Sequence, residues 1–245
     1  MLEEDRSIVH DVSLAAAVGR RALPMRLCTA FAESLGAQHV TMSLLPSLEQ
    51  WQLLYASDEY ALRAEAAQFS HAEGPSVDAA LATRTVCVPD VHGHVRRARL
   101  RRSWTEDLPA LRHVLALPLH RQRQRLGVLC LYYTHSAPPA PAHIAEAEQA
   151  TAIAREEILR WRPVHADAGG PEPVWATDTR AARWERVHRA AGYVAAREDC
   201  PVGEALTWLR VTALRRHQSL LDTCDHILQP AGARAGVPRQ ATLIR

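Results

Sequence analysis

Residues 113–133, HVLALPLHRQRQRLGVLCLYY, decide how the chain folds. The runs 114–119 and 126–133 are rich in branched and aromatic residues, which suit a pleated, buried surface. The polar HRQRQR between them supplies a turn, so the stretch predicts a β-hairpin. Pro118 has no amide hydrogen to give. It therefore puts the first strand at a sheet edge, or marks a local break in its ladder.

Upstream, Val40, Met42 and Leu44 alternate with polar residues, which predicts a half-buried strand; 51–56 gives a second, across a turn at 46–50. A helix is expected at 24–35, opened by Pro24 and closed by Gly36, with Leu27, Ala30, Phe31 and Ser34 inward. Another is expected at 58–69. The turn Glu73-Gly74-Pro75-Ser76 feeds a short helix through Leu81. Ser76 is expected to cap it, and the inward-aimed terminus is also a place where an anion can sit. A strand at 85–88 stops at Pro89, and 90–112 has no clear period. Residues 1–19 form an N-terminal extension with a faint helical face at Leu14 and Val18.

Downstream, a long helix is expected at 141–161. Ile144, Ala147, Thr151, Ala154, Ile158 and Trp161 recur at steps of 3, 4, 3, 4 and 3, which is heptad spacing. The stripe predicts a homodimer; its rival is packing on the chain's own sheet. Residues 163–179, with PVHADAGGPEP inside them, read as a linker. Three short amphipathic helices follow. Their stripes are Trp184, Val187, Ala191 and Val194; then Val202, Ala205, Leu206, Leu209 and Ala213; then Leu220, Leu221, Cys224, Ile227 and Leu228. Pro201 marks the first break, and Ser219-x-x-Asp222 can cap the third helix. Helices this short must bury their stripes against one another.

The expected class is therefore α+β: an antiparallel sheet with flanking helices, then a small three-helix bundle. The expected divisions are an extension at 1–19, a sheet domain at 20–162, a linker at 163–179, the bundle at 180–229 and a disordered tail at 230–245.

Composition narrows the function classes. All 29 basic residues are arginine, and the net charge of +2 gives no global field that marks a nucleic-acid binder. A GC-rich genome is the plain reason for arginine; its ability to fork onto phosphates and stack on bases is the functional one. Five irregularly spaced cysteines argue for reduced thiols in a cytosol. No apolar window is long enough for a membrane span. No phosphate loop, nucleophile motif or carboxylate pair stands out, so no catalytic residue and no cofactor are assigned. Cys87, His92 and His94 make one loose cluster without a second pair, so no metal is assigned either.

The C-terminal residues also carry a resemblance. Ala190-Ala191-Gly192-Tyr193-Val194, Glu204-Ala205 with Leu209-Arg210 and Ala213-Leu214, and Ser219-Leu220-Leu221-Asp222 resemble the ANTAR domain. That family binds RNA and controls transcription antitermination. The sequence departs from the pattern at Ala191, Cys224 and Gln218, and the first and third departures each remove a positive charge. Residues 113–133 and the upstream YASDEYALRAEAAQF…EGPSVDAA resemble the GAF domain, in its actinobacterial GAF–ANTAR setting. The resemblance implies a cytosolic, non-enzymatic regulator whose sensor, with an unspecified small ligand, governs binding to a hairpin in a nascent transcript. It also implies pairing of two copies.

RNA-contact candidates follow from the same helices. Ala190, Gly192, Ala205 and Ala213 would form a small-residue face beside Tyr193 and Arg210, with Arg215 and Arg216 as phosphate clamps in the turn before the third helix. Gly192 is expected to serve close helix packing. The run Arg96, Arg97, Arg99, Arg101 and Arg102 reads as an ordinary solvated surface. Cys28, Cys87 and Cys130 fall on core positions, leaving Cys200 as the exposed thiol. Two other classes stay open: an interaction module without RNA binding, and a thiol-based reductase, as some GAF domains are. The latter needs Cys87 and Cys130 close together.

Overall fold

The computed structural model describes residues 7–94, 98–122, 124–135, 137–161 and 179–229. They fall into two compact units, divided between Trp184 and Glu185. The first contains one antiparallel sheet of β1 (His39–Leu44), β2 (Gln52–Ala56), β3 (Val86–Val88), β4 (His113–Arg121) and β5 (Gln124–Tyr133), in the order β2-β1-β5-β4-β3. The hairpin expected at 113–133 is β4–β5, paired from His113↔Tyr133 to Arg121↔Gln124. β3 pairs only with Val114–Ala116 of β4, so on that side the ladder has ended before Pro118.

Side-chain alternation gives the sheet two buried faces. Val40, Met42, Leu115, Leu117, Leu129, Leu131 and Tyr133 form one, under α1 (Ile8–Ala17), α2 (Leu23–Leu35) and α7 (Pro141–Trp161). α1 contributes Ile8 and Val12 to this core, while Leu14 and Val18 are exposed, opposite to the face the sequence suggested. α7 contributes Ala147, Ala150, Ala154 and Ile158. Ala147, Ala154 and Ile158 of its heptad stripe are thus taken up by the chain's own core, and the homodimer loses their support.

The other face lies under α3 (Glu59–His71) and α4 (Pro75–Ala82). Asp58 caps α3, its side chain accepting from the Ala61 amide at 2.8 Å. Hydrogen bonds from His39 and the Ala61 amide, with the His39 charge, outweigh the upward push of burial and hold the Asp58 carboxyl below its ordinary value. The aperiodic stretch holds α5 (Val91–His94) and α6 (Ala98–Asp107). Leu100 and Trp104, one turn apart, are buried and anchor α6, with Trp104 Nε1 donating to the Ala64 carbonyl at 3.3 Å. Arg101 and Arg102 are exposed; Arg96 and Arg97 lie outside the described residues.

α8 (Thr179–Glu198) begins in the first unit and continues into the second, which also holds α9 (Val202–Arg216) and α10 (Leu220–Leu228). Helix breaks fall at Pro201 and Ser219, and the Ser219 hydroxyl accepts from the Asp222 amide at 3.0 Å as the cap the sequence predicts. Val187, Ala191, Val194, Leu206, Leu209, Leu220 and Leu221 are buried. Arg186 of α8 meets Asp225 of α10 at 2.5 Å. The linker other than Thr179, and the 230–245 tail, lie outside the described residues.

Candidate functional site

The second sheet face carries a cluster that alternation had hidden. Thr41 and Ser43, the polar half of the β1 pattern, are fully buried rather than solvated. They face Glu65, which lies on the inner side of α3 between Leu62 and Phe69 and is itself 0% exposed. Four hydroxyls reach its carboxylate: Ser43 on Oε1 at 2.8 Å, and Tyr132, Ser76 and Thr41 on Oε2 at 2.6, 3.0 and 3.2 Å. Gln68 Nε2 adds a longer contact at 3.3 Å. None of these partners is charged, so oriented dipoles alone satisfy a buried carboxylate.

Gln68 ties the cluster to α4. Its Nε2 is also 3.0 Å from Ser76 Oγ and from Tyr132 OH. Its Oε1 accepts from the Ser76 amide at 2.8 Å, one of the orphan donors at the helix start. Ser76 is therefore a member of the cluster and not the cap; Gly74 holds the N-cap position, at φ 127°. A Cβ there would stand 2.5 Å from Gln68 Oε1 and 2.7 Å from Leu100 Cδ2, so only glycine fits. Of the amides at this helix start, that of Ser76 is met by the neutral Gln68 side chain, and Glu65 reaches α4 only through the Ser76 hydroxyl.

The thiols are mostly insulated. Burial, then the Glu65 charge, pushes Cys130 up to about 12. Burial, then Cys130 and Glu65, raises Tyr132 well above its usual range and keeps its hydroxyl a donor. Cys87 is exposed, contrary to the core position read from sequence, because β3 is a three-residue edge strand. Cys200 is half-buried. Cys87 pairs with Leu115, which pairs with Leu131, so it points to the face opposite Cys130. The two thiols do not face each other. Among the described residues no group of three metal-ligating side chains forms, and no helix is long and apolar enough to cross a membrane.

In the C-terminal unit the expected contact residues separate. Ala190, Ala205 and Ala213 are buried, at 0%, 0% and 2% exposure, and cannot form an outward small-residue face. Ala205 and Ala213 lie on the packing stripe of α9, and Ala190 is buried beside that of α8. Tyr193 is 41% exposed. Arg215 and Arg216 are exposed, in the last turn of α9 rather than in a turn after it, and Arg210 is half-buried. Gly192 is exposed, and a Cβ there would meet nothing within 4 Å, so it serves no internal packing.

Residues 25–156 match the family model described as the GAF domain. Similar solved structures include the GAF domain of an Acinetobacter phosphoenolpyruvate-protein phosphotransferase, 12% identical, covering 65% of this chain and 96% of that one with a TM-score of 0.49. Another is free methionine-R-sulfoxide reductase from Neisseria meningitidis in complex with its substrate, 15% identical, covering 63% and 88% with a TM-score of 0.48. No curated protein matches the chain.

Proposed function

The chain belongs to the GAF-domain family through residues 25–156, and from that premise we propose a cytoplasmic, non-enzymatic regulator in two parts. The GAF domain is the sensor. The C-terminal helices are an ANTAR-like output that binds structured RNA in a nascent transcript and acts in transcription antitermination. One observation supports the output reading: the helices break at Pro201 and Ser219, as their proline and capping chemistry predicts, and leave Tyr193, Arg215 and Arg216 at the surface. An exposed tyrosine and guanidinium forks are suited to unstacked bases and phosphates. The test is to crosslink the protein to RNA in cells and sequence what is recovered; recovery no better than an unrelated cytosolic protein would defeat the reading.

The absence of a thiol mechanism from this reading is supported by Cys130, buried with its pKa near 12, and by Cys87 facing away from it. Self-association belongs to the reading on the resemblance alone, and sedimentation showing only monomer at micromolar concentration would remove it. A second reading, a protein-interaction module, is favoured by Val202, Val211 and Leu214 of α9, exposed at 50%, 46% and 38%. Recovery of a stoichiometric protein partner with no RNA would select it.

A further inference from the structure

α3 carries two sets of contacts on neighbouring residues. Glu65 and Gln68 turn into the buried cluster. Phe69, the next residue, packs on Trp184 of α8 with ring centroids 4.7 Å apart. Glu59, at the start of α3, holds Arg183 of α8, whose Nη1 is 2.9 Å from both carboxylate oxygens. Trp184 also lies against Trp51 at 6.1 Å and donates from Nε1 to the Trp51 carbonyl at 3.0 Å. All of these residues belong to the first unit.

Arg180 Nη1 also donates to the Ala56 carbonyl at 3.3 Å, and Ala181 is buried, but the largest buried side chain at the start of α8 is Trp184. Arg183 and Glu59 are 42% and 53% exposed, and ion pairs in that much water contribute little. Trp184 is 1% exposed, seated against Trp51 and Phe69. A large aromatic in a close-packed seat is in or out, because such packing does not deform continuously. Gln68 and Phe69 are consecutive on one rigid helix. A displacement of α3 that moves the Gln68 amide therefore moves the Phe69 ring as well.

We propose that the docking of Trp184 is governed by the Glu65 cluster through α3, so that the start of α8 is a latch that loosens when the cluster loses hydrogen bonds. For its purpose the latch rests on the sensor reading above; its measurement does not depend on RNA. The chain carries six tryptophans, and the full protein labelled with 5-fluorotryptophan gives one fluorine resonance for each. Trp184→Phe assigns the relevant line by its loss.

In Tyr132→Phe and Glu65→Gln, a second Trp184 line is expected at the position of the unfolded chain, with about a tenth of the intensity or more. Circular dichroism establishes that each variant is folded. A folded variant whose Trp184 line stays single and unshifted overturns the latch. If Glu65→Gln does not fold, Tyr132→Phe and Ser43→Ala, which each remove a single hydroxyl, decide the matter in the same way. Failure of the wild-type protein to bind RNA would defeat the antitermination reading and leave these resonances to judge the latch.

Discussion

The Tyr132 hydroxyl donates to Glu65 Oε2 across 2.6 Å, from β5 to α3, with both side chains fully buried. Bonds of this kind, to a charged acceptor away from water, contribute more than neutral ones. Tyr132→Phe removes this donor, and with it an acceptor of Gln68 Nε2, while changing little in shape. It is expected to lower stability by about 1.5–3 kcal/mol, seen as a lower urea midpoint for the first unit with an unchanged slope. A midpoint equal to wild type would mean that the cluster does not hold α3 to the sheet.

The buried thiols give an alkaline limb. Cys130 moves from 9.0 to about 12 on folding, first through burial and then through the Glu65 charge. Its folded pKa is raised, so its contribution is complete below about 9. Between about 9 and about 12 the unfolded chain binds fewer protons than the native one, and stability falls as pH rises. The slope is at most ~1.4 kcal/mol per pH unit for this group. Cys130→Ala should flatten the limb in urea titrations over that range. At neutral pH a maleimide should label Cys87, the exposed thiol, and leave Cys28 and Cys130 unmodified until the chain unfolds.

How much of this was legible follows from what alternation can report. β4 and β5 were plain in the sequence because strands buried on both faces read as continuous apolar runs. β1 is also buried on both faces, but Thr41 and Ser43 make it look half-solvated. A polar residue satisfied by Glu65 and one satisfied by water leave the same pattern, so the cluster was invisible. Its one trace was Glu65 itself, standing on the apolar stripe of α3 between Leu62 and Phe69. α6 was missed because Leu100 and Trp104 are its only described core anchors among arginines. Ala190, Ala205 and Ala213 were ambiguous for another reason: small residues mark both a tight core and a surface that admits a ligand.

Two glycines should respond in opposite ways. A Cβ on Gly127 would stand 2.0 Å from the Ser43 carbonyl oxygen, where β5 runs against β1. Backbone cannot swing aside as a side chain can, so Gly127→Ala should part this pairing. A loss of at least about 1–3 kcal/mol is expected, with faster amide exchange along β1. Gly192 has open space at the same test. Gly192→Ala should instead stabilise α8 by about 1 kcal/mol, measured as a higher melting temperature of the C-terminal unit. A destabilised Gly192→Ala would show that something within the chain does approach that face.

The proposed RNA face makes its own prediction, and charge and stacking can be told apart. Arg215 and Arg216 are exposed at the end of α9, where cations also complement the helix dipole. If they meet phosphates, Arg215→Ala and Arg216→Ala should each weaken binding and lower the salt slope by roughly one unit or less, since each lost contact releases about one counter-ion fewer. Tyr193 is 41% exposed on α8 and would act by stacking. Tyr193→Ala should cost about 1–3 kcal/mol of affinity with little change in salt slope, because stacking releases no counter-ions. Ala190, Ala205 and Ala213 serve as the contrast, being buried. Enlarging them should lower the melting temperature before it affects RNA. Titrations of labelled hairpins against salt, with helix content checked in every variant, measure all of these. Arginine variants that bind with wild-type affinity and slope would place the interface elsewhere.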